Sequence, residues 1–161
     1  MGAGKSTVGR ELAHRLGRPF ADSDAVAERR AGCSVRALWE RDGEAAFRAL
    51  EESVVRELLE RDDAPVIALG GGALTSEATR HLLRERALCA WLDAPVATCW
   101  QRMDGAPGAR PLAGDREEFE QLHGRREPTQ VRVCLPMRAD LEKRLRKELV
   151  HFGIVAGDPR P

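Results

Sequence analysis

The stretch Met1-Gly2-Ala3-Gly4-Lys5-Ser6-Thr7 has the residue types and spacing to hold a polyphosphate. Glycines let a backbone curl until several N–H groups face one cluster of phosphate oxygens. A helix starting there adds the positive end of its dipole. Lys5 would reach the outer phosphates, and the Ser6 hydroxyl would sit on Mg2+. The full pattern G-x-x-x-x-G-K-[ST] lacks its leading glycine, which would fall two positions before Met1. The strand that normally feeds such a loop is missing too. The plainer reading is a helix N-terminus capped by Ser6 or Thr7.

Further along, Asp22 and Asp24 stand two apart at the end of a short apolar run. At a strand's carboxyl end, period two would aim both carboxylates at the same side, where open α/β sheets bind ligands. Such a pair can hold a metal through water and orient a substrate hydroxyl. Asp24 could equally cap a helix starting at Ala25. Arg48 lies one residue off an apolar helical stripe. It suits either a bidentate clamp on a carboxylate or a surface ion pair with Glu44 or Glu52. Gly70-Gly71-Gly72 directly follows a buried apolar run. Three glycines there point to close approach of a ligand to the backbone, where a simple turn needs only one or two. Arg110, in a Gly/Pro/Ala-rich stretch, could swing onto a transferring phosphoryl group or simply be solvated. Arg125 and Arg126 precede Pro128 and also suit a helix C-terminus. The histidines and tryptophans read as structural, with Trp39 and Trp91 in the core.

These residues need a scaffold, and the pattern supplies alternating strands and helices. Val8, Leu12 and Leu16 mark a first helix that Gly17 ends. Strands are expected at 19–21, 65–69, 88–92 and 131–135. Helices are expected at 25–31, 34–41, 44–61, 76–86, 95–103 and 115–126, with a closing helix marked by Leu141, Leu145 and Leu149. Phe47, Leu50, Val54 and Leu58 form the stripe of the longest. The alternation predicts an α/β fold, a parallel sheet with helices on both faces. One domain is expected over 1–152, with a lid at about 104–115 and a frayed tail at 153–161.

Composition excludes several classes. Lys+Arg and Asp+Glu both number 26 among 161 residues, so no net charge draws the chain to nucleic acid or an anionic membrane. No apolar run approaches the roughly 20 residues of a membrane span, and no signal-peptide pattern opens the chain. Cys33, Cys89, Cys99 and Cys134 are scattered without metal-ligand spacing. Reduced thiols in a cytoplasmic protein are therefore expected.

Taken in order, the segments Gly-Ala-Gly-Lys-Ser-Thr (2–7), Asp-Ser-Asp (22–24), Gly-Glu-Ala-Ala-Phe-Arg-Ala-Leu-Glu (43–51), Gly-Gly-Gly (70–72), Arg-Pro-Leu (110–112) and Arg-Glu-Pro (126–128) resemble the shikimate kinase family. The resemblance covers roughly Met1 to Pro128. It implies a three-layer P-loop kinase fold whose first strand is missing from this chain. It also implies transfer of the ATP γ-phosphate to the 3-hydroxyl of shikimate, in aromatic amino acid biosynthesis. On this resemblance Gly2, Ala3, Gly4, Lys5, Ser6 and Thr7 bind ATP, and Ser6 with Asp22 holds Mg2+. Asp24 orients the 3-hydroxyl and takes its proton. Arg48 and Arg126 clamp the carboxylate, the Gly71 backbone meets the ring hydroxyls, and Arg110 closes over the phosphates. A monomer is expected, with no nucleic-acid or membrane partner.

The chain departs from the family after Pro128, where Thr129 and Gln130 follow, and it contains no Tyr. Arg138 is a candidate for the adenine region. Two alternatives stay open: another small-metabolite P-loop kinase such as a gluconate kinase, or an inactive truncated remnant. The family's first strand is central to the sheet. Without it, two neighbours would carry unpaired backbone groups, so poor folding and weak ATP binding are expected of the chain as written.

Overall fold

In the computed structural model, residues 2–92, 94–104, 116–126, 132–137 and 147–148 are described. The elements follow the alternating pattern: α1 (Lys5–Leu16), β1 (Phe20–Asp22), α2 (Ser23–Ala31), α3 (Val35–Glu60), β2 (Val66–Ala68), a 3-10 turn (Ala73–Thr75), α4 (Glu77–Arg86), β3 (Ala87–Trp91), α5 (Val96–Asp104), α6 (Arg116–Arg126) and β4 (Arg132–Pro136). Of the lid expected at about 104–115, residues 105–115 lie outside the described residues, as do most of the closing helix, the tail at 153–161, Arg110 and Arg138, while Asp104 ends α5.

Successive strand residues face opposite sides of a sheet, and the burial follows that period. Val66, Val133, Leu135 and Ala90 pack with Leu12, Ala13 and Leu16 of α1. Their neighbours Ile67, Cys134 and Cys89 pack on the other face with Val54, Val55 and Leu58 of α3 and Leu82 and Leu83 of α4. The sheet is thus covered by helices on both faces, as the α/β pattern predicts. A smaller cluster of Ala3, Cys99 and Phe119 ties the first residues to α5 and α6.

The strand order is β1-β2-β4-β3. β1 and β2 are parallel, with Phe20 opposite Val66 and Asp22 opposite Ala68. β4 lies between β2 and β3 and is antiparallel to both. The sheet is therefore mixed, which corrects the expectation of parallel pairing throughout. It also corrects the expectation that a central position stands open. β4 takes that position and both neighbours find backbone partners, which removes the unpaired groups on which the expectation of poor folding and weak ATP binding rested. Val133, Cys134 and Leu135 suit it because they are apolar on both faces and fully buried, as a central strand requires.

The thiol expectation is corrected as well. Cys89 and Cys134 stand directly opposite each other on β3 and β4, with Cα atoms 4.1 Å apart, and are disulfide-bonded. Cys33 and Cys99 are free thiols. Spacing of 45 residues carries no sign of this pairing, which depends on the register of two strands distant in sequence.

Candidate active site

Parallel β1 and β2 end at the same edge of the sheet, and their carboxyl ends deliver the Asp22-Ser23-Asp24 triplet and the glycine run. Each side chain of the triplet does something different. Asp22 accepts a hydrogen bond from the Ser6 hydroxyl at 2.8 Å through Oδ2. Its other oxygen accepts from the backbone N–H groups of Asp24 (3.1 Å) and Ala25 (3.4 Å), capping α2. The cap is therefore Asp22 and not Asp24, because α2 begins at Ser23, earlier than the pattern suggested. Asp24 is reached by a helical turn and not by strand alternation. Ser23 is buried, and its hydroxyl accepts the Gly70 N–H at 2.8 Å. One triplet thus joins the phosphate-loop residues, α2 and the glycine run.

At the start of α1, Gly2 and Gly4 have φ of 72° and 86°. That left-handed region strains residues with a Cβ. Gly4 caps α1 with no side-chain hydrogen bond, so neither Ser6 nor Thr7 is its cap. Both lie inside the helix, with Thr7 exposed. The first-turn N–H groups of a helix have no intrahelical acceptor, and here they follow a backbone curled as an anion site requires. Ala3 is buried. Arg102 of α5, not singled out in the sequence, donates to the Gly2 carbonyl at 3.4 Å. The loop is seated close against α5, since a Cβ on Gly2 would meet the Cys99 carbonyl.

Arg48 is positioned by a kink in α3. Gly43 has φ 81° and ψ 173°, breaking the helix into two arms. In a straight helix Trp39 and Arg48 would be about 13.5 Å apart along the axis. With the break, the Arg48 guanidinium lies 5.3 Å from the Trp39 ring centroid and 5.2 Å from that of Phe47, within range of a cation–π contact. Trp39 is half-buried beside this site and is not the core residue expected. The side chain of Trp91 lies outside the described residues. Arg48 also makes the ion pair with Glu44 that helical spacing allows, and none is seen to Glu52, which pairs with Arg56.

Glu51 is the residue that sequence reading missed. Arg48 Nη1 donates to its Oε2 at 2.6 Å, and the Glu51 side chain is only 3% exposed. The signal was its phase: Phe47, Glu51, Val55 and Leu58 share one helical face, so a carboxylate sits on a buried stripe. A buried charge needs a partner, and Arg48 supplies it.

The glycine run has an internal reason. A Cβ on Gly70 would collide with carboxylate oxygens of Asp24 and Glu51, and one on Gly72 would lie 2.5 Å from Arg48 Nη1. The groups approaching the backbone are the site's own charges. Gly71 sits half-buried between them. With Glu51, Asp22 and Glu28 nearby, Asp24 is crowded by negative charge. Burial first, then repulsion from Glu51 and Asp22, raises its pKa from the ordinary 3.8 to about 6, opposed by Lys5. Arg126 ends α6, but its side chain and that of Arg125 lie outside the described residues.

Ser6 and Asp22 offer a hydroxyl and a carboxylate side by side, the hard oxygen donors Mg2+ takes. Among the described residues no group of three or more His, Cys, Asp or Glu could hold a metal alone. Also among the described residues, no helix is long and apolar enough to cross a membrane.

A curled glycine loop opening a helix, with a carboxylate on its serine, defines a P-loop phosphotransferase of α/β fold. The comparisons with known proteins narrow this. The shikimate kinase family model matches residues 1–141. The chain is 54% identical over 130 residues to shikimate kinase of Paracidovorax citrulli, covering 79% of this chain and 71% of the relative. It is 40% identical over 159 residues to that of Salinibacter ruber, covering 99% and 74%. A solved structure of shikimate kinase from Acinetobacter baumannii, in complex with shikimate, matches with TM-score 0.72 and 40% identity, covering 80% of this chain and 72% of that one. The chain belongs to the shikimate kinase family. It is an ATP-dependent kinase that phosphorylates shikimate in aromatic amino acid biosynthesis.

Proposed function

We propose that the side chains gathered at this sheet edge divide the reaction as follows. The observation that carries the reading is the join of Ser6 to Asp22, with Asp24 two residues on and Arg48 across the glycine run. Gly2 to Thr7 bind the ATP phosphates through backbone N–H groups, and Lys5 neutralises their outer charge. Ser6 and Asp22 would hold Mg2+, and the ion, when bound, would supply positive charge against the phosphates. Asp24 accepts a hydrogen bond from the 3-hydroxyl of shikimate and takes its proton. A carboxylate with a pKa of about 6 is mostly ionised at neutral pH yet basic enough for that role.

Arg48, held by Glu51 and stacked on aromatic rings, clamps the substrate carboxylate. Arg126 is assigned as its second clamp, Gly71 as a backbone contact to ring hydroxyls, and Arg110 as the residue that closes over the phosphates. Transfer of this kind depends on positioning and charge neutralisation more than on covalent chemistry. The enzyme works as a monomer in the cytoplasm, where ATP is available. Neutral net charge gives no reason to add a nucleic-acid or membrane partner.

The test is kinetic. Arg48→Lys and Arg126→Lys keep the charge and lose the fork. Each is expected to raise the shikimate KM at least tenfold with the ATP KM unchanged. Unaltered kinetics in either variant would remove that arginine from the carboxylate clamp.

A further inference from the structure

The two acidic partners of Arg48 are unequal. Glu51 is buried and takes Nη1 at 2.6 Å. Glu44 is 61% exposed, and a single oxygen, Oε1, straddles Nε at 3.4 Å and Nη2 at 3.5 Å. These last distances lie at the outer limit of a hydrogen bond. Nε and Nη2 form the side-on edge of a guanidinium, where a carboxylate docks with two parallel bonds of about 2.7–2.9 Å. The aromatic rings of Trp39 and Phe47 lie against the guanidinium, Nη1 belongs to Glu51, and Gly72 passes close to Nη1 and Nη2. Glu44 therefore holds the docking edge, and holds it loosely.

We propose that Glu44 is a built-in competitor for the substrate carboxylate: it occupies the Nε/Nη2 edge of Arg48 in the free enzyme and is displaced when substrate binds. This inference rests on the reading that Arg48 clamps the carboxylate. Glu44 is the first residue after the Gly43 break. Once displaced, its carboxylate stays at the positive end of the second helical arm, where negative charge is favoured. Competition of this kind lowers apparent affinity by the fraction of enzyme in which the edge is taken. Glu44 thus sets KM without touching the chemical step. It also keeps the guanidinium in its docking orientation while the site is empty, and it disfavours neutral analogues that cannot expel it.

The experiment compares Glu44→Gln, Glu52→Gln and Arg48→Lys in shikimate-dependent turnover. Direct shikimate titration by tryptophan fluorescence supplies a Kd independent of turnover. Glu52 sits on the same helix and pairs with Arg56 at 3.0 Å, so its change matches the charge loss without touching Arg48. Expected are a three- to tenfold lower shikimate KM and Kd in Glu44→Gln, an unchanged kcat and ATP KM, and no effect of Glu52→Gln. An unchanged or higher KM and Kd in Glu44→Gln, with Arg48→Lys still raising KM, would overturn the competitor role alone. An equal gain in Glu52→Gln would also overturn it, by making the effect one of general charge. If Arg48→Lys leaves KM unchanged, the carboxylate clamp itself fails, and the competitor with it.

Discussion

The Ser6 hydroxyl donates to Asp22 Oδ2 at 2.8 Å, joining the first turn of α1 to the end of β1 across 16 residues of chain. The pair places the hydroxyl proposed to bind the metal beside a carboxylate that also caps α2. Asn caps a helix about as well as Asp, so Asp22→Asn separates the two duties. Stability is expected to stay within about 0.5 kcal/mol of the parent, while the Mg2+ concentration for half-maximal turnover rises several-fold. Chemical denaturation and a metal titration check this. An unchanged metal requirement would remove Asp22 from the ion's site.

Asp24→Asn should lower kcat by about 10²–10⁴-fold, the usual worth of a general base, with nucleotide binding retained. Its effect on stability has a defined sign. The folded-state pKa of about 6 exceeds the ordinary 3.8, so the folded protein binds this proton more tightly than the unfolded chain does. The ionised carboxylate therefore costs nothing below about pH 4, progressively more between pH 4 and 6, and its full amount above pH 6. The neutral Asn removes that cost. A gain of about 1–3 kcal/mol is expected at pH 7.5 and none at pH 4. Equal gains at both values would show that Asp24 is not the titrating group.

Ser23 tests the scaffold and not the chemistry. Its hydroxyl receives the buried Gly70 N–H. Ser23→Ala leaves that donor without its acceptor, at a cost of about 1–3 kcal/mol, and frees the glycine run. Urea denaturation should show the loss, with the shikimate KM rising alongside. A stable variant with normal KM would mean that Gly70 is held in place by its other neighbours.

Much of this site was legible in the sequence because its signals are local. The α1 stripe, the Gly-Lys-Ser triplet and the three glycines each declare themselves within a few residues. Strand alternation predicts that Asp22 and Asp24 come together but not how, since a helix and not a strand carries Asp24. What escaped depends on distant neighbours. Glu51 looks like an ordinary partner for Arg48 until its place on a buried face is counted. Trp39 joins the site only because Gly43 bends the helix, and a lone glycine in a helical pattern does not reveal a bend's direction. β4 could be recognised as a strand, but not that it would run antiparallel through the middle of the sheet, because register between remote strands has no local signature.

That central position makes the Cys89–Cys134 link informative. It joins β3 to β4 and closes a loop of 45 residues. On a chain-entropy basis such a link stabilises by about 4 kcal/mol. Reductant, or Cys134→Ser, is expected to lower the urea midpoint by a corresponding amount. Identical midpoints with and without reductant would mean that β4 is held by its pairing and burial alone.

The most direct test of the whole account is ADP release by the purified 161-residue chain, coupled to a spectroscopic readout. With ATP and Mg2+, the predicted result is release that saturates with shikimate. None should appear with gluconate or a nucleoside monophosphate, and Asp24→Asn should nearly abolish the signal. A folded chain that releases no ADP on addition of shikimate, or that releases it equally after Asp24→Asn, would contradict the account.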